Sequence, residues 1–115
     1  MTYAQLVDSL AKPGNEIRAG LSAHQAHLLH MALLLCTEAG ELATPIKAFT
    51  IYGKALDIAN IKEELGDLEF AMEGIRQACD LTREECLQHN IQKLTARYGN
   101  IYSDKAAIKR ADKNV

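Results

Sequence analysis

Between residues 58 and 75 the apolar side chains Ile58, Ile61, Leu65, Leu68, Met72 and Ile75 recur in alternating steps of three and four. That spacing lays a continuous seam along one face of an α-helix, as in a coiled coil, and has no counterpart in a strand. The rest of the chain obeys the same period. Proline occurs only at Pro13 and Pro45, and clusters of β-branched residues are rare. The expected fold is all-α, with four helices in an antiparallel bundle.

Helix boundaries follow from local chemistry. A first helix is expected over 3–11, stopping ahead of Pro13, because a residue before proline is pushed out of the helical region. Residues 14–22 read as a connection. Ser22 is placed to cap a second helix over 23–52, with Thr44-Pro45 interrupting it or restarting it, Thr44 serving as N-cap in the latter case. Gly53 ends that element. Asp57 caps the seam-bearing helix. Thr82 and Glu85 have the spacing of a capping box at the start of the last main helix, whose apolar stripe is Leu87, Ile91, Leu94 and Tyr98, and Gly99 closes it. A short helix is expected over 104–111 in a charged tail. The chain reads as one domain over 1–115, with its core at about 23–100 and its tail at 101–115.

At 115 residues and 12.7 kDa the chain buries only about two-thirds of its unfolded surface when folded. Long amphipathic helices of this size call for a partner subunit. A net charge of -2 offers no basic excess for nucleic acid, and no apolar run reaches the ~18 residues of a membrane span. The N-terminus lacks the charged start and apolar stretch of a signal peptide. Cys36, Cys79 and Cys86 form no C-x-x-C pair and read as reduced packing cysteines, which points to the cytoplasm.

Two pairs of acids carry the chemistry. Glu38 and Glu41 lie three apart, as do Glu64 and Asp67, and each pair borders an apolar stripe. Residues three apart share a helix face. Two unit charges ~4 Å apart repel by roughly 4 kcal/mol at a near-surface dielectric. Four such groups brought together must take up protons or bind a cation, and oxygen-only ligands suit Mg²⁺, with Mn²⁺ as a substitute. Glu63 and Glu69 read as surface residues. Asn90, Lys93 and Arg97 form a polar stripe on the last main helix, and a lysine and an arginine one turn apart suit phosphate oxygens. His24, His27 and His30 recur every three residues but lack a matched fourth ligand. His30 is expected to pack or hydrogen-bond near the acids, and His24 and His27 to face water or a partner. Tyr98 reads equally as a core aromatic or as a hydroxyl near phosphate or sugar.

These residues resemble the signatures of the MazG-like nucleoside triphosphate pyrophosphohydrolases. The stretch 29–42, which contains Glu38-Ala39-Gly40-Glu41-Leu42, is similar to the first. The stretch 61–68, which contains Glu63-Glu64-Leu65-Gly66-Asp67-Leu68, is similar to the second. The stretch 90–98, with Asn90, Lys93, Arg97 and Tyr98, is similar to the third, and Tyr102-Ser103-Asp104 with Ala107 and Arg110 resembles the tail of single-domain members. The resemblance covers roughly residues 30–112. It implies an all-α NTP pyrophosphatase architecture working as a homodimer or homotetramer. It also implies Mg²⁺ on Glu38, Glu41, Glu64 and Asp67, and phosphate contacts from Lys93, Arg97 and Tyr98. Asn90 would lie near metal or sugar. The implied reaction cleaves a nucleoside triphosphate between its α- and β-phosphates, with Glu41 as the candidate base. Departures from the family pattern are Leu34 in place of glycine, Glu69 in place of an apolar residue, Pro45 inside a helix that usually continues, and the absence of tryptophan. Three alternatives remain at this point: a phosphoribosyl-ATP pyrophosphohydrolase, a non-catalytic helical interaction module, and a di-iron carboxylate bundle. The last needs Glu-x-x-His pairs, and neither acid pair has histidine at that offset.

Overall fold

A computed structural model describes residues 1–109, and those residues are helical with no strand. Six helices follow in order: α1 (Tyr3–Leu10), α2 (Gly14–Gly20), α3 (Ala23–Tyr52), α4 (Ile58–Ala78), α5 (Arg83–Tyr98) and α6 (Asp104–Lys109). The last two positions of the expected tail helix, 110 and 111, lie outside the described residues, as does Arg110.

Local hydrogen bonds set the starts of these helices. The Thr2 hydroxyl accepts from the Gln5 backbone N–H while the Gln5 side chain accepts from the Thr2 N–H, and Ser22 and Gln25 repeat the arrangement at α3. Asp57 Oδ1 accepts from the Asn60 N–H at 3.1 Å, and the Thr82 hydroxyl from the Glu85 N–H at 3.1 Å. Each satisfies a donor that the first helical turn leaves without a partner. Gly53 ends α3 with φ 66, a left-handed conformation that glycine adopts without steric cost.

Two expectations are corrected. Residues 14–20, expected as a connection, form α2, which begins directly after Pro13; the fixed φ of Pro13 (-60) leads the chain into a helical turn. The second correction concerns Pro45. It neither breaks nor restarts the second helix, and Thr44 is not an N-cap: α3 is one element of 30 residues with Pro45 buried inside it. A proline in a helix interior costs about 3 kcal/mol through its missing N–H and its clash with the preceding turn. The helix runs on across that defect to Tyr52.

α3 and α4 form the one extensive helix pair among the described residues, and α5 packs on α6. The pair is antiparallel. His24, near the start of α3, donates from Nε2 to the carbonyl oxygen of Ala78 at the end of α4, 2.7 Å away. Met31 lies against Gly74, and Glu38 lies by Glu64. His24, expected to face water or a partner, is exposed, and the antiparallel crossing also brings it to the Ala78 carbonyl at the end of α4. At Gly74 the helices approach so closely that a Cβ would stand 2.9 Å from Met31 Cγ and closer still to its Sδ. Met31 (6% exposed) and Ala71 (0%) are the buried apolar residues of this seam.

Among the described residues no four-helix bundle closes. The radius of gyration is 19.8 Å, against about 13 Å for a compact domain of this length. Leu29, Leu33, Phe49, Ile51, Leu65 and Phe70 are all exposed.

Candidate metal centre

Glu38 and Glu41 project from α3 one turn apart, and Glu64 projects from α4 toward them. Each offers one carboxylate oxygen, and the three oxygens lie within 4.8 Å of one another. The antiparallel crossing that joins Met31 to Gly74 sets this register, since Glu38 is two turns beyond Met31. Glu64 is 9% exposed, the one buried charged residue among those described, and Glu41 is open to solvent.

The ion pairs of Arg76, with Glu69 and Glu73, lie away from this group. The buried oxygens Glu38 Oε2 and Glu64 Oε2 have no hydrogen-bond partner. A buried carboxylate oxygen without a donor is costly. The electrostatics follow. Glu38 is held above the ordinary carboxylate range, first by the hydrogen bond its protonated form makes to Glu64, then by burial and by the charge of Asp67. Glu41 is also raised, first by the charge of Glu38, then by a hydrogen bond to it, by burial and by Asp67. Such a site relieves its repulsion by taking up protons or a cation. Oxygen-only donors of this kind fit a hard divalent cation such as Mg²⁺ or Mn²⁺.

Asp67 stands outside the 4.8 Å group and is exposed, yet its charge raises both Glu38 and Glu41. It borders the centre. Glu63 is exposed, as expected of a surface residue, and Glu69 pairs with Arg76 at 3.6 Å. Asn90 and Lys93 are exposed on α5, and Arg97 and Tyr98 are half-buried at its end. Arg97 Nη1 donates to the Tyr98 hydroxyl at 3.1 Å, with its guanidinium 5.3 Å from the ring centroid. Among the described residues α5 makes no extensive contact with α3 or α4.

One feature escaped sequence reasoning. A shallow trough of about 400 Å³ runs along α3 just past the acids, lined by Leu42, Ala43, Ile46, Lys47 and Thr50 among others. The small residues Ala39 and Ala43, one turn apart, were its only signal. Among the described residues no helix is long and apolar enough to cross a membrane. In comparisons with known proteins, no family model, no curated protein and no solved structure matches the chain.

Proposed function

We propose that this protein is a Mg²⁺-dependent nucleotide pyrophosphohydrolase that cleaves (d)NTPs between the α- and β-phosphates to (d)NMP and pyrophosphate. The observation that carries the reading is the pair of buried oxygens Glu38 Oε2 and Glu64 Oε2, which face a third carboxylate and have no donor. Glu38, Glu41 and Glu64 would hold the cation, with Asp67 at the margin. When bound, the cation makes a water more acidic and neutralises phosphate oxygens.

The chain's own groups supply the rest. Glu41, the exposed member of the cluster, is the candidate to accept a proton from an attacking water. Lys93 and Arg97 bring two positive charges one turn apart, a lysine point charge and an arginine fork, to the pyrophosphate that leaves. Tyr98, hydrogen-bonded to Arg97, orients that fork. Asn90 adds an amide one turn earlier. The motif resemblance, in order along the chain, favours the same reaction and an all-α NTP pyrophosphatase architecture. In this reading a homodimer or homotetramer in the cytoplasm completes the bundle.

A pyrophosphate-release screen across ordinary and damaged NTPs and dNTPs, with phosphoribosyl-ATP included, tests the reading. The expected result is Mg²⁺-dependent release of pyrophosphate from a nucleoside triphosphate. Release only from phosphoribosyl-ATP reassigns the substrate. No release from any of them, together with no Mg²⁺ binding by calorimetry, rejects the enzyme reading in favour of an interaction module.

A further inference from the structure

Pro45 stands one helical turn beyond Glu41 and two turns beyond Glu38 on α3. Residues at these spacings share a helix face. Pro45 is buried, while Thr44 and Ile46 on either side of it are exposed. It therefore lies on the face that α3 turns toward α4, its one extensive partner among the described residues. The two acids and the proline occupy one strip of α3, with the proline at its C-terminal edge.

In an unbroken helix the N–H of residue 45 donates to the carbonyl of residue 41. Proline has no N–H, and its ring clashes with that same carbonyl and pushes it off the helical line. Among the described residues no backbone N–H from outside α3 takes the place of the missing donor. The Glu41 carbonyl is thus an open acceptor, on one of the three residues whose carboxylates converge. The two polar groups of Glu41 point opposite ways along α3. Side chains lean toward a helix N-terminus and carbonyls face its C-terminus. The carboxylate leans back toward Glu38, and the carbonyl faces forward, toward Pro45. A cation held by the carboxylates is reached by that carbonyl through a water. Mg²⁺ keeps several waters when it binds protein, and groups that accept hydrogen bonds from the metal's shell fix it in place.

We propose that Pro45 gives the centre a further acceptor: the main-chain carbonyl of Glu41, released from the helix, takes a hydrogen bond from a water in the shell of the cation that Glu38, Glu41 and Glu64 hold. The inference rests on the cation site of the pyrophosphohydrolase reading. Glu64, buried with an unpartnered oxygen, is the independent sign that this site takes a ligand. Pro45 itself touches no ligand; it is a positioning residue that acts through the backbone of Glu41. It is also a departure from the family pattern that the acids resemble, so this acceptor is particular to the present chain.

Two full-length variants separate the missing N–H from the ring. Pro45→Ala removes the ring and restores a donor to the Glu41 carbonyl. Lactic acid in place of Pro45, introduced by nonsense suppression, removes the ring and restores no donor, because an ester oxygen replaces the nitrogen. Calorimetric titration with Mg²⁺ alone reads the affinity of each protein, and thermal melts in EDTA read its stability. Pro45→Ala should bind Mg²⁺ about tenfold more weakly than the wild type, although it melts higher without the ion. A purely structural proline would not weaken binding in a more stable protein. The lactic acid variant should bind Mg²⁺ as the wild type does. Unchanged or tighter binding by Pro45→Ala overturns the proposal. An equal loss in both variants also overturns it, because the ring and not the donor then sets the affinity. Pyrophosphate release by the wild type keeps the two readings apart. A wild type that binds Mg²⁺ and turns over, beside an unaffected Pro45→Ala, rejects the carbonyl role alone. A wild type that binds Mg²⁺ without releasing pyrophosphate rejects the reaction, and the affinities still decide the carbonyl. A wild type that binds no Mg²⁺ rejects both.

Discussion

Glu38 on α3 and Glu64 on α4 meet across the antiparallel pair, and each carries a buried Oε2 with no hydrogen donor. Two apolar-flanked helices thus bring like charges together where neither is satisfied. That arrangement opposes folding unless the charges are neutralised. Two of its consequences, one for a charge-removing variant and one for pH, can be measured.

Replacing Glu64 with glutamine removes one charge and supplies an amide donor to Glu38. Without divalent cation, the melting temperature of Glu64→Gln should rise, by about 4–8 °C for each kcal/mol of repulsion relieved. Stabilisation by Mg²⁺ should disappear, and turnover should fall by on the order of 10²-fold or more. Thermal melts with EDTA and with Mg²⁺ check this. A variant that melts lower in EDTA, or keeps its Mg²⁺ shift, rules out the cluster as a cation site.

The raised carboxyls predict a pH dependence whose sign can be worked out. Glu38 and Glu41 hold protons more tightly folded than unfolded. Their contribution to stability is therefore fully present below the ordinary carboxylate range and is lost as pH rises through the raised values. In EDTA the wild type should lose stability over that window relative to Glu38→Gln/Glu41→Gln. Mg²⁺ competes with the same protons, so its apparent affinity should increase with pH. Urea melts from about pH 4 to pH 8, run in parallel on both proteins, measure the difference. A gap that does not change with pH would falsify the coupling.

Gly74 is where α4 comes closest to Met31. Alanine there gains up to about 1 kcal/mol of helix propensity but drives Met31 from its buried position, and overpacking costs roughly 1–3 kcal/mol. Gly74→Ala should therefore destabilise. Met31→Ala alone should cost about 2–5 kcal/mol, and the two together less than their sum, because the second cavity receives the added methyl. A double-mutant cycle by chemical denaturation reads the coupling; strict additivity would show that the two residues do not touch.

Pro45 lies inside α3 and leaves the Glu41 carbonyl without its i+4 donor. Pro45→Ala restores that bond, a gain of up to about 3 kcal/mol, and gives up part of a buried ring, a loss of about 1 kcal/mol. The variant should melt higher, with slow amide exchange at position 45. A lower melting temperature would mean that the ring contributes more packing than its missing N–H costs.

Much of the fold was legible because its signals are local. Ser22, Asp57 and Thr82 cap helices through hydrogen bonds that span three residues, and Gly53 ends α3 through its own φ. The seam from Ile58 to Ile75 needs only the helical repeat. The acid pairs were legible for the same reason, since each pair lies on one helix. What misled was equally local. Pro45 is a helix breaker by its own chemistry, and the stretch after Pro13 has no apolar stripe long enough to announce α2.

Amino-acid order by itself determined that this protein is helical, where most of its helices begin and end, and that two carboxylates stand side by side on each of two of them. Tertiary structure decided the rest. It set the antiparallel register that joins Glu38 and Glu41 to Glu64 and leaves Asp67 at the edge. It carried α3 through Pro45, and among the described residues it left α5 without extensive contact with α3 or α4. The physical reason is range: caps and periodicity are settled within a turn or two of helix. Register and docking depend on burial between residues tens of positions apart, where close approaches such as Met31 to Gly74 select one alignment.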